Sequence, residues 1–270
     1  MNDPSSSKQL SKIGRLVRSI IKRYIYAQLA VYSGLKIAFG NESPYIGFTV
    51  EKTPPSTYWV FKIKPAVLAG LEQVLGIPEG FPIAPIQCLE SDDPEYLLVL
   101  NAYRVSGLAN GLRAEWSTFI RDPNNIPRYM ILDAGASKLS MDPIHIFTRG
   151  TSVQHERTGD TLFTRFGAGD KAFRSTLTIA HDAPPAQTST QWVIANDTIY
   201  WINGIYDHTF YNAGLADSQQ VSISAQNAEI ELGAFWDKLV ESEPMHILLL
   251  QNEIEFVISP WNNIRSVETR

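Results

Sequence analysis

The sequence predicts an α+β protein dominated by antiparallel strands, arranged as a sheet or barrel, with an added N-terminal helix. Three observations carry that expectation. Past Pro44 the chain is a succession of short β-like runs broken by Gly, Asn, Asp and Pro, with two helix-like stretches among them. The segment before it has helical apolar spacing. Charge divides at the same place: residues 8–40 carry seven basic side chains and no acid, whereas residues 41–270 carry 16 basic against 27 acidic, a net −11. An extension, residues 1–45, is therefore expected before a β-rich body, residues 46–270.

In the extension, Leu10, Ile13, Val17, Ile20, Ile21, Tyr24, Ala27, Val31 and Leu35 fall in one arc, with the basic residues up to Lys36 opposite. Ser5, Ser6 and Ser7 offer N-caps, and Gly34 or Gly40 a stop. Three roles stay open for this helix: packing on the body or a second subunit, peripheral contact with anionic lipid through residues 8–36, or a transit peptide. The basic residues through Arg23 leave too short an apolar run for a spanning helix.

In the body, strands are expected at Thr57–Lys62, Tyr96–Tyr103, Leu112–Ile120, Tyr129–Asp133, His145–Thr148, Ser152–Arg157 and Thr161–Phe166. Further strands are expected at Phe173–Ala180, Gln191–Ala195, Thr198–Ile202, Tyr206–Tyr211 and Met245–Ser259. Hairpin turns suit Asn196-Asp197 and Gly167–Asp170. Helices are expected at Pro65–Leu75, with a Pro start and a Gly76 stop, and at Glu229–Glu241.

Composition excludes several classes. With 44% hydrophobic and 19% charged residues the chain buries a core unaided. The single cysteine, Cys88, excludes a disulfide framework and a Cys-rich zinc site, and fits a reducing, cytoplasmic setting. The acidic body argues against nucleic acid as partner. There is no P-loop, nucleophile elbow or HExxH, and Gly167-Ala-Gly169 joins two strand-like runs with no helix following. His145, His155, His181, His208 and His246 lack ligand-like spacing, so no metal or cofactor is expected.

One strand carries chemistry. Along Leu112–Ile120, period two places Leu112, Ala114, Trp116, Thr118 and Ile120 on an apolar face, and Arg113, Glu115, Ser117 and Phe119 on the other. If that second face lines a cavity, Glu115 can transfer protons while Arg113 tunes it or holds an anion. Spacing alone favours the commoner arrangement, a solvated face with a cross-strand ion pair.

The order of these features resembles the acetoacetate decarboxylase-like superfamily. The likeness rests on Tyr58-Trp-Val-Phe-Lys-Ile-Lys-Pro65, the helix Ala66–Leu75 and the turn Gly76-Ile-Pro-Glu-Gly-Phe81. It continues through the strand Tyr96–Tyr103, the run Arg113-Ala-Glu-Trp116 and Gly159-Asp-Thr-Leu162. The resemblance implies a curved sheet or barrel around a central cavity, homo-oligomerisation, and a lysine that forms a Schiff base with a keto acid, assisted by a glutamate and an arginine. The glutamate corresponds to Glu115. Where the lysine belongs, the chain reads Phe147-Thr-Arg-Gly150, and Ser56 or Thr57 stands at the early arginine. Arg149 cannot form an imine but can grip a carboxylate. Lys138, one loop earlier, supplies an amine only if the register shifts.

The expected activity is therefore non-imine, lyase-type acid–base chemistry on a small or medium organic acid or keto or hydroxy compound. Glu115, Arg113, Arg149 and Lys138 are the candidate catalytic groups, with Tyr103, Trp116, His145 and Phe147 lining the pocket. The alternative is a non-catalytic protein that binds an organic acid or apolar ligand and docks on a membrane or partner through its N-terminal helix.

Overall fold

The computed structural model describes residues 46–107, 111–122, 125–137, 153–196, 199–201, 207–209, 211–212 and 218–258. The expected N-terminal helix and the strand at His145–Thr148 lie outside them. The described residues form two mostly antiparallel sheets with few helices, as an α+β class requires.

The first half contributes β1 (Ile46–Val50), β2 (Thr57–Lys62), α1 (Leu71–Leu75), β3 (Leu97–Gly107), β4 (Gly111–Arg121) and β5 (Pro127–Ala136). Next come β6 (Gln154–Thr158), β7 (Thr161–Phe166), β8 (Phe173–Thr178), α2 (Thr190–Asn196), β9 (Ile199–Trp201), β10 (Asp207–Thr209) and β11 (Tyr211–Asn212). The chain continues through β12 (Gln220–Ile223), β13 (Ala228–Leu232), α3 (Ala234–Leu239), β14 (His246–Leu250) and β15 (Ile254–Ile258).

Eleven strands make the larger sheet, in the order β10-β9-β5-β4-β3 and then a fork. Leu97–Ala102 of β3 pair with β2, which leads to β14 and β12, while Val105–Gly107 pair with β1, which leads to β15 and β11. Every pairing is antiparallel except β5 with β9. The expected barrel does not close. Because the 11-residue β3 serves two partners along one edge, the sheet splays into branches, and its ends stay apart among the described residues.

The second sheet, β13-β8-β7-β6, covers one face of the first. Between them Trp59 and Trp116 meet Phe173 edge-on at 5.2 and 5.9 Å, and Trp116 stacks on Trp236 of α3 at 4.5 Å. Such pairs add about 0.5–1.5 kcal/mol each beyond the area they bury. The Trp236 indole donates to the Lys171 carbonyl at 3.0 Å, which ties α3 to the turn between β7 and β8. Gly233 lets the chain pass that turn, since a Cβ there would lie 2.7 Å from the Asp170 carbonyl carbon.

Five expectations are corrected. Gln191–Ala195 is not a strand but α2, because the Ser189 hydroxyl accepts from the Trp192 N–H at 3.1 Å and caps a helix. Asn196-Asp197 accordingly gives no hairpin; Asn196 ends α2, donating to the Trp192 carbonyl at 2.8 Å. Glu229–Glu241 is not one helix: Gly233 divides it into edge strand β13 and the short α3. Pro65–Leu75 is a 3₁₀ turn and α1, parted by Gly70 at φ 83°, with the expected stop at Gly76. Met245–Ser259 breaks into β14 and β15.

Candidate functional site

The alternation read along β4 is the one the structure shows. Ala114, Trp116 and Ile120 are buried against the second sheet. Arg113, Glu115, Ser117 and Phe119 face the other way, toward α2 and the segment around Ile86 and Cys88. That face is not solvated: Arg113 is 2% exposed and Glu115 3%.

Register assembles the site. Tyr58 of β2 opposes Asn101 of β3, which opposes Glu115 of β4, which opposes Ala134 of β5. One step along, Tyr103 opposes Arg113 and Arg113 opposes Ala136. Arg113 Nη2 stands 3.5 Å from Glu115 Oε2, and the Tyr103 hydroxyl donates to the same oxygen at 3.3 Å. The Arg113 guanidinium also lies 5.7 Å over the Tyr103 ring. Ser56 donates to Asn101 Oδ1 at 3.2 Å.

Burial, then the Glu115 charge, push the Tyr58 phenol far above its usual range, with Asn101 and Ser56 offsetting in part. The same two causes, in the same order, raise Tyr129. Both phenols are thus fixed as neutral O–H groups beside a carboxylate. Ser117 and Tyr129 lie side by side without a well-aligned hydrogen bond, and the buried Trp192 indole N–H has no partner among the described residues. Trp192 packs edge-on to Tyr58 at 5.8 Å and against Phe119 at 5.4 Å.

A bulge decides what the charges face. Ser117 pairs with Ile131, but Trp116 pairs with Asp133, so Leu132 is an extra residue on β5. Were Leu132 paired with Trp116 in a regular register, Glu115 would face Asp133 across the strands. With the bulge Glu115 faces Ala134, and Asp133 turns to the other face, where burial raises its carboxyl and Lys171 draws it back down.

Of the residues singled out in sequence, the structure brings together Arg113, Glu115 and Tyr103. Trp116 sits on the opposite face of β4, inside the core between the sheets, because neighbouring strand residues point to opposite sides. Lys138, His145, Phe147 and Arg149 lie outside the described residues. Sequence reasoning missed Tyr58, Asn101 and Tyr129, whose signal was their own period-two placement on strands already identified.

Other polar groups gather elsewhere. His155 is buried, its Nδ1 2.8 Å from the Thr164 hydroxyl and its Nε2 2.9 Å from the Pro55 carbonyl. Burial holds it neutral, lowering its pKa to about 4 against a smaller opposing effect of the Pro55 contact. An open pocket of about 290 Å³ is lined by Lys52, Pro55, Arg157, His181, Leu249 and Gln251, and includes none of the expected site residues. At the end of β14, His246, Asp92 and Cys88 converge, although 154 residues separate Asp92 from His246. The chain matches no family model, no curated protein and no solved structure when compared with each.

Proposed function

We propose that the inner face of the large sheet is a small-molecule site in a divergent acetoacetate decarboxylase-like enzyme. It takes a small or medium organic acid, or a keto or hydroxy compound, through lyase-type acid–base chemistry without an imine. The observation that carries this reading is the buried Arg113–Glu115 pair facing Ala134 and Ala136 and flanked by the phenols of Tyr58, Tyr103 and Tyr129. Charge is costly to bury, so a buried ion pair ringed by phenols and faced by alanines is where polar chemistry is concentrated.

In this reading Arg113 receives the substrate carboxylate. Glu115 carries the proton, and Tyr103, which donates to it, positions it; a placed acid–base group contributes about 10²–10⁴-fold. Arg149, Lys138, His145 and Phe147 join this reading through the family resemblance alone, as do the curved cavity and homo-oligomerisation.

The test is a panel of organic acids, keto acids and hydroxy acids, followed by calorimetry for binding and proton NMR for turnover. Glu115→Gln is expected to abolish turnover and keep binding, and Arg113→Met to lose binding. Both activities intact in Glu115→Gln would overturn the site. A borohydride-trapped adduct in the intact mass would replace the acid–base route with an imine.

One observation favours the second reading, a binding protein without turnover: Glu115 already accepts from Arg113 and Tyr103, which suits a fixed acceptor. Binding with no product across the panel would select it. The cytoplasmic setting and peripheral lipid contact of residues 8–36 also belong to this proposal. No helix of the described residues is long and apolar enough to cross a membrane.

A further inference from the structure

We propose that Cys88, Asp92 and His246 form a binding site for a divalent transition-metal cation, of which Zn²⁺ fits best. One ligand atom from each, a sulfur, an oxygen and a nitrogen, lie within 4.8 Å of one another. The set shares no residue with the Arg113–Glu115 pair: His246 stands on β14, three strands from β4 in the pairing order, although Cys88 also packs in the core that covers that pair.

The three groups are held from different directions. Cys88 and Asp92 belong to the segment joined to its own continuation by the Ile86–Glu95 bridge, and to residue 188 by the Leu89–Thr188 bridge. Asp92 Oδ2 accepts the Leu89 N–H at 2.8 Å, which fixes the carboxylate within that turn. His246 reaches it from the first residue of β14, with Nε2 2.7 Å from Asp92 Oδ2. Cys88 closes the group from below and is 1% exposed, while the His246 and Asp92 side chains are 16% and 10% exposed. The open side is therefore the histidine–carboxylate side.

The donor set selects the cation. A thiolate excludes Mg²⁺ and Ca²⁺, which take oxygen ligands, and one each of thiolate, imidazole and carboxylate suits Zn²⁺ or Co²⁺. Three protein ligands leave one tetrahedral position, on the open side, for solvent. Binding replaces the His246–Asp92 hydrogen bond with two metal–ligand bonds, the imidazole proton passing from Nε2 to Nδ1, and releases the Cys88 thiol proton to solvent as the third bond forms. It would clip the segment around Cys88 to the end of β14.

The experiment is an anaerobic Co²⁺ titration of the chelator-treated full-length chain, followed by its absorption spectrum. One Co²⁺ per chain is expected, with tetrahedral ligand-field bands in the visible and a thiolate-to-cobalt charge-transfer band in the near ultraviolet, all bleached by Zn²⁺. Cys88→Ser is expected to remove the charge-transfer band. His246→Ala and Asp92→Asn are expected to weaken Co²⁺ binding by at least about tenfold, since even groups that only support a ligand contribute that much. A saturated wild-type spectrum without the charge-transfer band overturns the proposal, whether or not any variant folds. So does a band that survives in Cys88→Ser, or a Co²⁺ affinity unchanged in His246→Ala.

Discussion

A guanidinium and a carboxylate enclosed in a sheet bind each other at the cost of both hydration shells, so removing one is worse than removing both. Glu115→Ala, which strands the Arg113 charge, is expected to cost about 3–5 kcal/mol of unfolding free energy. Arg113→Met combined with Glu115→Leu should recover much of that loss, as read by urea denaturation of the singles and the double. His155 makes the second prediction at this scale. Its folded pKa of about 4 lies below the usual 6.5, so between those values the unfolded chain binds the extra proton. The contribution is complete above pH 6.5 and is lost on acidification toward pH 4, a fall of about 3 kcal/mol. His155→Gln should flatten that part of the stability profile measured across the same pH range. Alternation made Arg113 and Glu115 neighbours in the sequence reading. Their burial was not legible, because the cover comes from Ile86, Cys88 and Trp192, which no local spacing connects to β4.

Among elements, the irregular ones decide the site. The extra Leu132 on β5 is what gives Glu115 an alanine neighbour in place of a second carboxylate. Ala134→Asp is expected to place a second carboxylate directly opposite Glu115. That would destabilise the chain by about 3 kcal/mol or more through like charges in a buried setting. Ala134→Asn, of the same size but uncharged, should recover part of that loss in the same denaturation measurement. Regular strands were the most legible elements: Thr57–Lys62 and Thr161–Phe166 fall at the expected boundaries. The bulge was not, since Leu132 and Asp133 look ordinary until the partner strand is known. Gln191–Ala195 carries the strand-favouring Trp192, Val193 and Ile194, yet the helix wins over the expected strand because Ser189 caps it and Trp192 buries against Tyr58. At Glu229–Leu232 the period-two pattern was present, but the apolar residues beyond Gly233 suggested helical spacing across the whole stretch.

For the whole molecule, the charge division is the feature with a direct test. The body from residue 41 is net acidic, so any attraction to anionic lipid must come from residues 8–40 and must fade with salt. In the proposed peripheral reading, the full chain co-sediments with anionic vesicles at low salt, and a variant carrying Arg15→Glu and Arg18→Glu does not. Equal binding by both, or binding to neutral vesicles, would show that the basic face does not drive the lipid contact.

The fork at β3 also sets the order in which the protein can be completed. Ile46 pairs with Ile258 and Val60 with His246, so both branches of the sheet are finished by strands made after the other described ones. During synthesis β1 and β2 therefore wait beside β3 with an open hydrogen-bonding edge each, and β2 carries Tyr58 and Val60 on the side that Leu248 will later reinforce. Contacts this distant along the chain form slowly, because the loop entropy is spent before they stabilise anything. A ribosome that stops short of His246 would thus release a chain with two templates for intermolecular strand pairing. These late-made strands, β14 and β15, act as the protein's own seal against aggregation.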